Sequence, residues 1–103
     1  MVRGEVWWAA TRPGGDRPVL VLTRDPAADR ANAVVVAPCT RRIRGLGSEL
    51  RLGPDEGLPE DCVASFDNLT TVSRADFRTR IARLSPDVME MACRVLARAL
   101  GCG

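Results

Sequence analysis

Only one stretch of this chain, SPDVMEMACRVLARALG at residues 85–101, carries the punctuation of a long helix at both ends. Ser85 is a good N-cap, Pro86 suits the first helical position, Asp87 sits at the positive end of the dipole, and Gly101 provides a stop. Before that stretch, glycine and proline cut the chain into short apolar runs. Most of the core must therefore come from short strands, and many short strands in a small chain indicate a barrel or sandwich. The expected fold class is mainly β with a C-terminal α-helix.

The strands can be placed in order. GEVWWAAT (4–11) reads as the first, and the turn TRPGGD leads into a second at Arg17–Thr23, antiparallel to the first because the link is short. Pro18 has no amide proton, which confines it to that strand's start or to an edge. DPAADR (25–30) suits a helical turn, and NAVVVAPC (32–39) a third strand apolar enough for burial on both faces, ended or bulged at Pro38. TRRIRGLGS (40–48) should be an exposed, mobile loop. Shorter strands are expected at Glu49–Leu52, Cys62–Phe66, Leu69–Val72 and Arg80–Leu84. On the helix, Val88, Met91, Ala92, Val95 and Ala99 form one stripe, widened by Met89, Cys93, Leu96 and Leu100. Glu90, Arg94, Ala97 and Arg98 are left for water, with Glu90 and Arg94 at pairing distance. A face that wide is either sunk in its own core or covered by a partner subunit.

With 103 residues the chain is expected to form a single domain, 1–103. Four aromatic residues (Trp7, Trp8, Phe66, Phe77) leave Val, Leu and Ala to fill the interior, and a second copy of the chain would bury more surface. No window approaches a membrane span and no N-terminal apolar leader is evident, so no membrane association is expected and a cytoplasmic location is the default. Cys39, Cys62, Cys93 and Cys102, spaced 23, 31 and 9 apart, form no Cys-x-x-Cys pair. They read as free thiols acting as small buried hydrophobes. The net charge is only +2, but all 15 basic residues are arginine, bunched at 41–44 and 74–83. Arginine binds phosphate bidentately and stacks on bases, which suits an RNA partner; a GC-rich genome would give the same bias.

Absent residues narrow the chemistry. Without His, Tyr or Lys there is no histidine triad, no histidine-pair ribonuclease mechanism, no Schiff base and no histidine-ligated metal, and no phosphate-binding glycine loop occurs. No metal and no cofactor are expected. Asp67 and Glu49 leave two-carboxylate chemistry open, though no spacing selects a pair. Two residues stand out by position. Arg17 begins the second strand and Thr40 ends the third, so an antiparallel meander could bring them together at one end of the sheet. A guanidinium beside a hydroxyl makes a phosphate site; otherwise Arg17 is a solvated cation and Thr40 caps a turn.

The blocks GEVWWA, DRPVLVLTRD, VVVAPCTRR, FDNLTTV and RLSPDVMEMACRVLARALG, in that order, resemble the MazF/PemK family of toxin endoribonucleases over essentially the whole chain. The resemblance implies an SH3-like barrel of the CcdB/MazF type, a homodimer, and metal-independent, sequence-selective cleavage of single-stranded RNA. Position by position, the family's catalytic arginine falls on Arg17 and its catalytic threonine on Thr40. In that picture the RNA's own 2′-hydroxyl attacks phosphorus, leaving a 2′,3′-cyclic phosphate and a 5′-hydroxyl. The family's acidic-then-amide step falls on Asp67 and Asn68, which line the RNA groove or simply form a turn. Arg12, Arg41, Arg42 and Arg44 are phosphate contacts in the same reading. Of Trp7 and Trp8, one should face the core and the other a base or the dimer contact. The resemblance also implies a cognate antitoxin whose acidic tail covers the groove. The alternative is a non-catalytic gyrase poison of the same fold.

Overall fold

Strand β1 (Glu5–Thr11) runs antiparallel to β2 (Gly15–Val21), with Val6 opposite Leu20 and Thr11 opposite Gly15. This computed structural model describes residues 1–11 and 14–102; Arg12, expected as a phosphate contact, lies outside the described residues. After the short helix α1 (Ala27–Arg30) come β3 (Ala33–Thr40), β4 (Glu49–Leu52), β5 (Cys62–Ser65), β6 (Thr70–Ser73), β7 (Phe77–Arg83) and the helix α2 (Pro86–Leu100). The strands form one antiparallel sheet in the order β4-β5-β3-β2-β1-β7, with β6 also paired to β3.

Strand β3 is the hinge of the architecture. Its first half pairs with β6 from Ala33 to Val36, and its last two residues pair with β5, Cys39 opposite Ala64 and Thr40 opposite Val63. Pro38 does not end the strand. It is the last residue opposite β2, where one set of partners gives way to another. Pro18 likewise lies inside β2 but just before pairing with β3 begins at Val19, so its missing amide proton breaks no ladder there.

Alternation along β1 and β2 sorts the core into two clusters. Val6, Leu20 and Leu22 join Ala37, Leu50, Leu52 and Phe66 under α2, while Ala9, Val19 and Val21 join Val34, Val36 and Val72 on the other side. The unbroken run Val19–Leu22 is thus buried on both faces. The expected two-sided burial of β3 fails at Val35, which is 39% exposed. Ala33 and Val35 share a face left exposed among the described residues, because α2 lies over β4 and the turn after β5 instead. The last strand starts at Phe77 rather than Arg80, because Phe77 pairs with Ala9 and stacks on Trp7 at 5.9 Å.

The helix matches its sequence punctuation. The Ser85 hydroxyl accepts from the Val88 amide, Gly101 caps the end at a φ of 72°, and Arg94 pairs with Glu90 at 2.9 Å. Its buried stripe is narrower than expected. Ala92 and Val95 are buried, but Met91 and Leu100 are 52% and 59% exposed, while the helix packs on β4 and the turn after β5. Cys39 and Cys62 are buried, whereas Cys93, on the open side of the helix, and Cys102 beyond it are exposed, contrary to their expected role as core thiols. Among the described residues no helix is long and apolar enough to cross a membrane.

One carboxylate is built into the sheet. Buried Glu5 accepts from the Val2 amide at 2.8 Å, the Trp7 indole at 3.1 Å and Arg80 at 3.1 Å. Burial alone would raise its pKa, but these bonds and the nearby N-terminal charge together hold it below the ordinary carboxylate value. Glu5 thereby fixes Trp7 toward the core, where its ring meets Phe77. Trp8, its neighbour on the opposite face, is 38% exposed.

Candidate active site

The register of β2 against β3 places the site. Val19 lies opposite Pro38, and continuing that register outward by two residues sets Arg17 across from Thr40. The ladder between the two strands stops at Val19 and Pro38, so the strand ends part just where these two side chains stand. A cleft opens between them. The sequence expectation that Arg17 and Thr40 share one end of the sheet is met: they line the same two cavities, of about 460 and 290 Å³.

The guanidinium is held from behind and open in front. One Nη of Arg17 donates to the Gly14 carbonyl at 3.2 Å, while its Nε is buried with no hydrogen-bond partner among the described residues. A buried donor without a partner costs free energy, roughly 1–3 kcal/mol. The turn permits this pose because residue 14 is glycine. A Cβ there would lie 2.7 Å from Arg17 Nη2. The Thr40 hydroxyl accepts from the Arg42 amide at 3.2 Å and donates to no acceptor among the described residues, so its proton can go to a ligand. Guanidinium and hydroxyl together can grip a tetrahedral anion and stabilise charge that grows on it.

The two cavities differ in chemistry. The larger one has an apolar wall of Trp8, Pro18, Leu58 and Pro59 and a rim carrying Asp16, Arg41 and Glu60. Trp8 is thus the indole that faces the cleft. Arg41 pairs with Glu60 at 3.2 Å, but both side chains are well exposed, so that pair contributes little and can yield to an incoming phosphate. The smaller cavity is polar and brings together Arg42, Arg44, Asp67 and Asn68 beside Arg17 and Thr40. Asp67 and Asn68 are held rather than loose: Ser48 donates to Asp67 at 2.6 Å, and Asn68 donates to the Ser65 hydroxyl at 2.8 Å. Of the eight expected site residues, the seven that are described therefore surround one cleft.

Some residues of the cleft carried no sequence signal. Glu49, weighed with Asp67 for two-carboxylate chemistry, lines the smaller cavity with it, but it accepts from the amides of Arg44 and Leu46 at 3.1 and 3.2 Å, a role in shaping the arginine loop that the sequence does not signal. Ser48 and Ser65 position the acidic and amide side chains; a hydroxyl in a strand or turn is too common to be read as such from sequence. Cys39 and Cys62 both line the larger cavity and perturb each other's ionisation. The contact with Cys62, together with burial, raises the Cys39 thiol well above its usual value, against the pull of Arg17. Cys62 moves the other way, lowered by the hydrogen bond from Cys39 despite burial and the charges of Asp61, Glu56 and Glu60.

Residues 2–100 match the model of the PemK-like, MazF-like toxins of type II toxin-antitoxin systems. A curated relative, the probable endoribonuclease MazF2 of Mycobacterium tuberculosis, is 59% identical over 103 residues, covering 99% of this chain and all of the relative. Among solved structures, the Mycobacterium tuberculosis toxin MazF-mt6 superposes with a TM-score of 0.89 at 28% identity, covering 96% of this chain and 98% of that one. A mycobacterial endoribonuclease in complex with its cognate antitoxin superposes at 0.88 and 23% identity over all of this chain and 97% of the other, which speaks for the fold.

Proposed function

Since the chain belongs to the family of PemK-like, MazF-like toxins of type II toxin-antitoxin systems, we propose that it is an endoribonuclease that cuts single-stranded RNA in the cleft between β2 and β3. The observation that carries this reading is that Arg17 and Thr40, a guanidinium and a hydroxyl, line the same two cavities at the parted ends of β2 and β3. The RNA's 2′-hydroxyl attacks the adjacent phosphorus, the bond to the 5′-oxygen breaks, and the products carry a 2′,3′-cyclic phosphate and a 5′-hydroxyl. Arg17 stabilises the negative charge of the pentacoordinate phosphorus, and Thr40 donates to a phosphoryl oxygen. An arginine stays charged at working pH, so its contribution is electrostatic rather than that of a base. No metal or cofactor has a step in this scheme.

The flanking cavities receive the nucleotides on either side of the cut. Trp8 offers a stacking face to one base, Arg41, Arg42 and Arg44 meet phosphates, and Asp67 and Asn68 present an acceptor and an amide to a base edge. The chain acts as one domain and as a homodimer, in keeping with the exposed Val35, Met91 and Leu100 on so small a body. Its arginine-lined groove suits the acidic tail of a cognate antitoxin, and its place of action is the cytoplasm. The curated relative at 59% identity is named a probable endoribonuclease, which does not favour a gyrase poison.

The test is incubation of the purified protein with a defined single-stranded RNA in EDTA. Fragments with cyclic-phosphate and 5′-hydroxyl ends are expected, and Arg17→Ala should slow their release by about 10²–10³. Intact RNA, or a variant as fast as wild type, overturns the reading.

A further inference from the structure

We propose that Cys39 and Cys62 form an oxidisable dithiol in the wall of the larger cavity, so that a disulfide between them switches off the adjoining Arg17–Thr40 site. The proposal rests on the reading of that site as the cleavage centre. Its geometry comes from the strand register. Cys39 is opposite Ala64 and Thr40 opposite Val63, so Cys62, two residues from Ala64, points to the same face as Cys39 and is its diagonal neighbour across β3 and β5. Both side chains are buried in the same core cluster and both border the cavity, which gives a small oxidant a route to them.

A diagonal pair stands about 7–8 Å apart at the Cα atoms, somewhat beyond the roughly 4.4–6.8 Å that a disulfide spans. Closing the bond therefore draws the strand ends together. The ladder between β3 and β5 is only two residue pairs long, so this end can shear, and what moves with it is Thr40, bonded to Cys39 in the chain. A shift of about 1 Å in a positioning group can cost about 10² in rate.

The chemistry needs only a peroxide. The Cys62 thiolate attacks one peroxide oxygen, the O–O bond breaks, and the departing hydroxide takes up a proton and leaves as water. The resulting sulfenic acid is then displaced by the Cys39 sulfur: the S–S bond forms, the S–O bond breaks, and a second water leaves with the Cys39 proton. In sum two thiols lose two electrons and two protons, and one peroxide becomes two waters. The order fits the ionisation of the pair, because Cys62 is the thiol favoured as thiolate. Reduction by an external dithiol reverses the step.

The experiment starts from reduced protein carrying Cys93→Ser and Cys102→Ser, which removes the two exposed thiols, with wild type in parallel. Each is titrated with hydrogen peroxide, digested and mapped by mass spectrometry, and assayed on single-stranded RNA before and after reduction with dithiothreitol. The expected result is a peptide linked through Cys39 and Cys62, a cleavage rate at least about tenfold lower while linked, and recovery on reduction. Whatever its starting rate, Cys62→Ser in the same background should keep that rate under peroxide. Absence of the linked peptide overturns the dithiol, and a linked protein that cleaves at its reduced rate overturns the switch. The peptide map is read without RNA, so a reduced protein that cuts no RNA overturns the reading of the site and leaves the dithiol to be decided by the map.

Discussion

A single methyl group placed at residue 14 should disarm the cleft without disturbing the fold. Gly14 has no positive φ, so alanine fits its backbone, but the added Cβ would stand 2.7 Å from Arg17 Nη2 and 3.1 Å from its Cζ. Ordinary contact begins near about 3.5 Å, so the guanidinium must retreat by roughly 0.8 Å. It also loses the geometry of its bond to the Gly14 carbonyl. The clash falls on the free end of a flexible side chain at an exposed turn, which keeps the stability change within about 0.5 kcal/mol. Misplacing a catalytic group by such a distance costs about 10² in rate, or about 2.7 kcal/mol of barrier. Single-turnover cleavage of a labelled RNA, with thermal melting as the control for folding, measures both quantities. A Gly14→Ala protein that melts like wild type and cuts within twofold of its rate would refute the claim that the position of Arg17 matters.

Acid should weaken the protein partly through Glu5. Its folded pKa lies below the unfolded value, so its contribution is complete above the ordinary carboxylate pKa near about 4.3 and is lost as pH falls through the lower folded value. Urea unfolding from pH 7 to 3 should show a shallower acid loss for Glu5→Gln than for wild type; identical slopes would count against it. Glu5→Ala leaves the Val2 amide and the Trp7 indole without their acceptor and should cost about 1–3 kcal/mol at pH 7. Trp8→Ala should raise KM for RNA about 5- to 150-fold with a smaller effect on kcat, since stacking on one base contributes about 1–3 kcal/mol; an unchanged KM removes Trp8 from the groove.

The parts of the molecule that depend on near neighbours in the chain were readable in advance. The bounds of α2 follow from Ser85, Pro86 and Gly101, whose effects are local, and those of β4, Glu49–Leu52, follow from the turn-rich stretches on either side of it. Exposure was less readable. Val35 and Met91 sit in runs that look buried, and whether another element covers them depends on where α2 docks, which no local pattern carries. Arg17 and Thr40 could be singled out as strand-end residues, but that they face each other depends on Val19 pairing with Pro38 rather than with a neighbour. The cysteine pair was not readable at all, because its members stand 23 positions apart with β4 between them, and only the pairing of β3 with β5 brings them to one face.

The claim that Arg17 and Thr40 act together on one phosphate is tested most directly by a double-mutant cycle. Single-turnover rates are measured for wild type, Arg17→Ala, Thr40→Ala and the double variant on one RNA. If both side chains grip the same phosphoryl group, the double variant loses clearly less than the product of the two single losses. Losses that multiply in full would mean that the two groups act independently, and would contradict a shared site at the parted ends of β2 and β3.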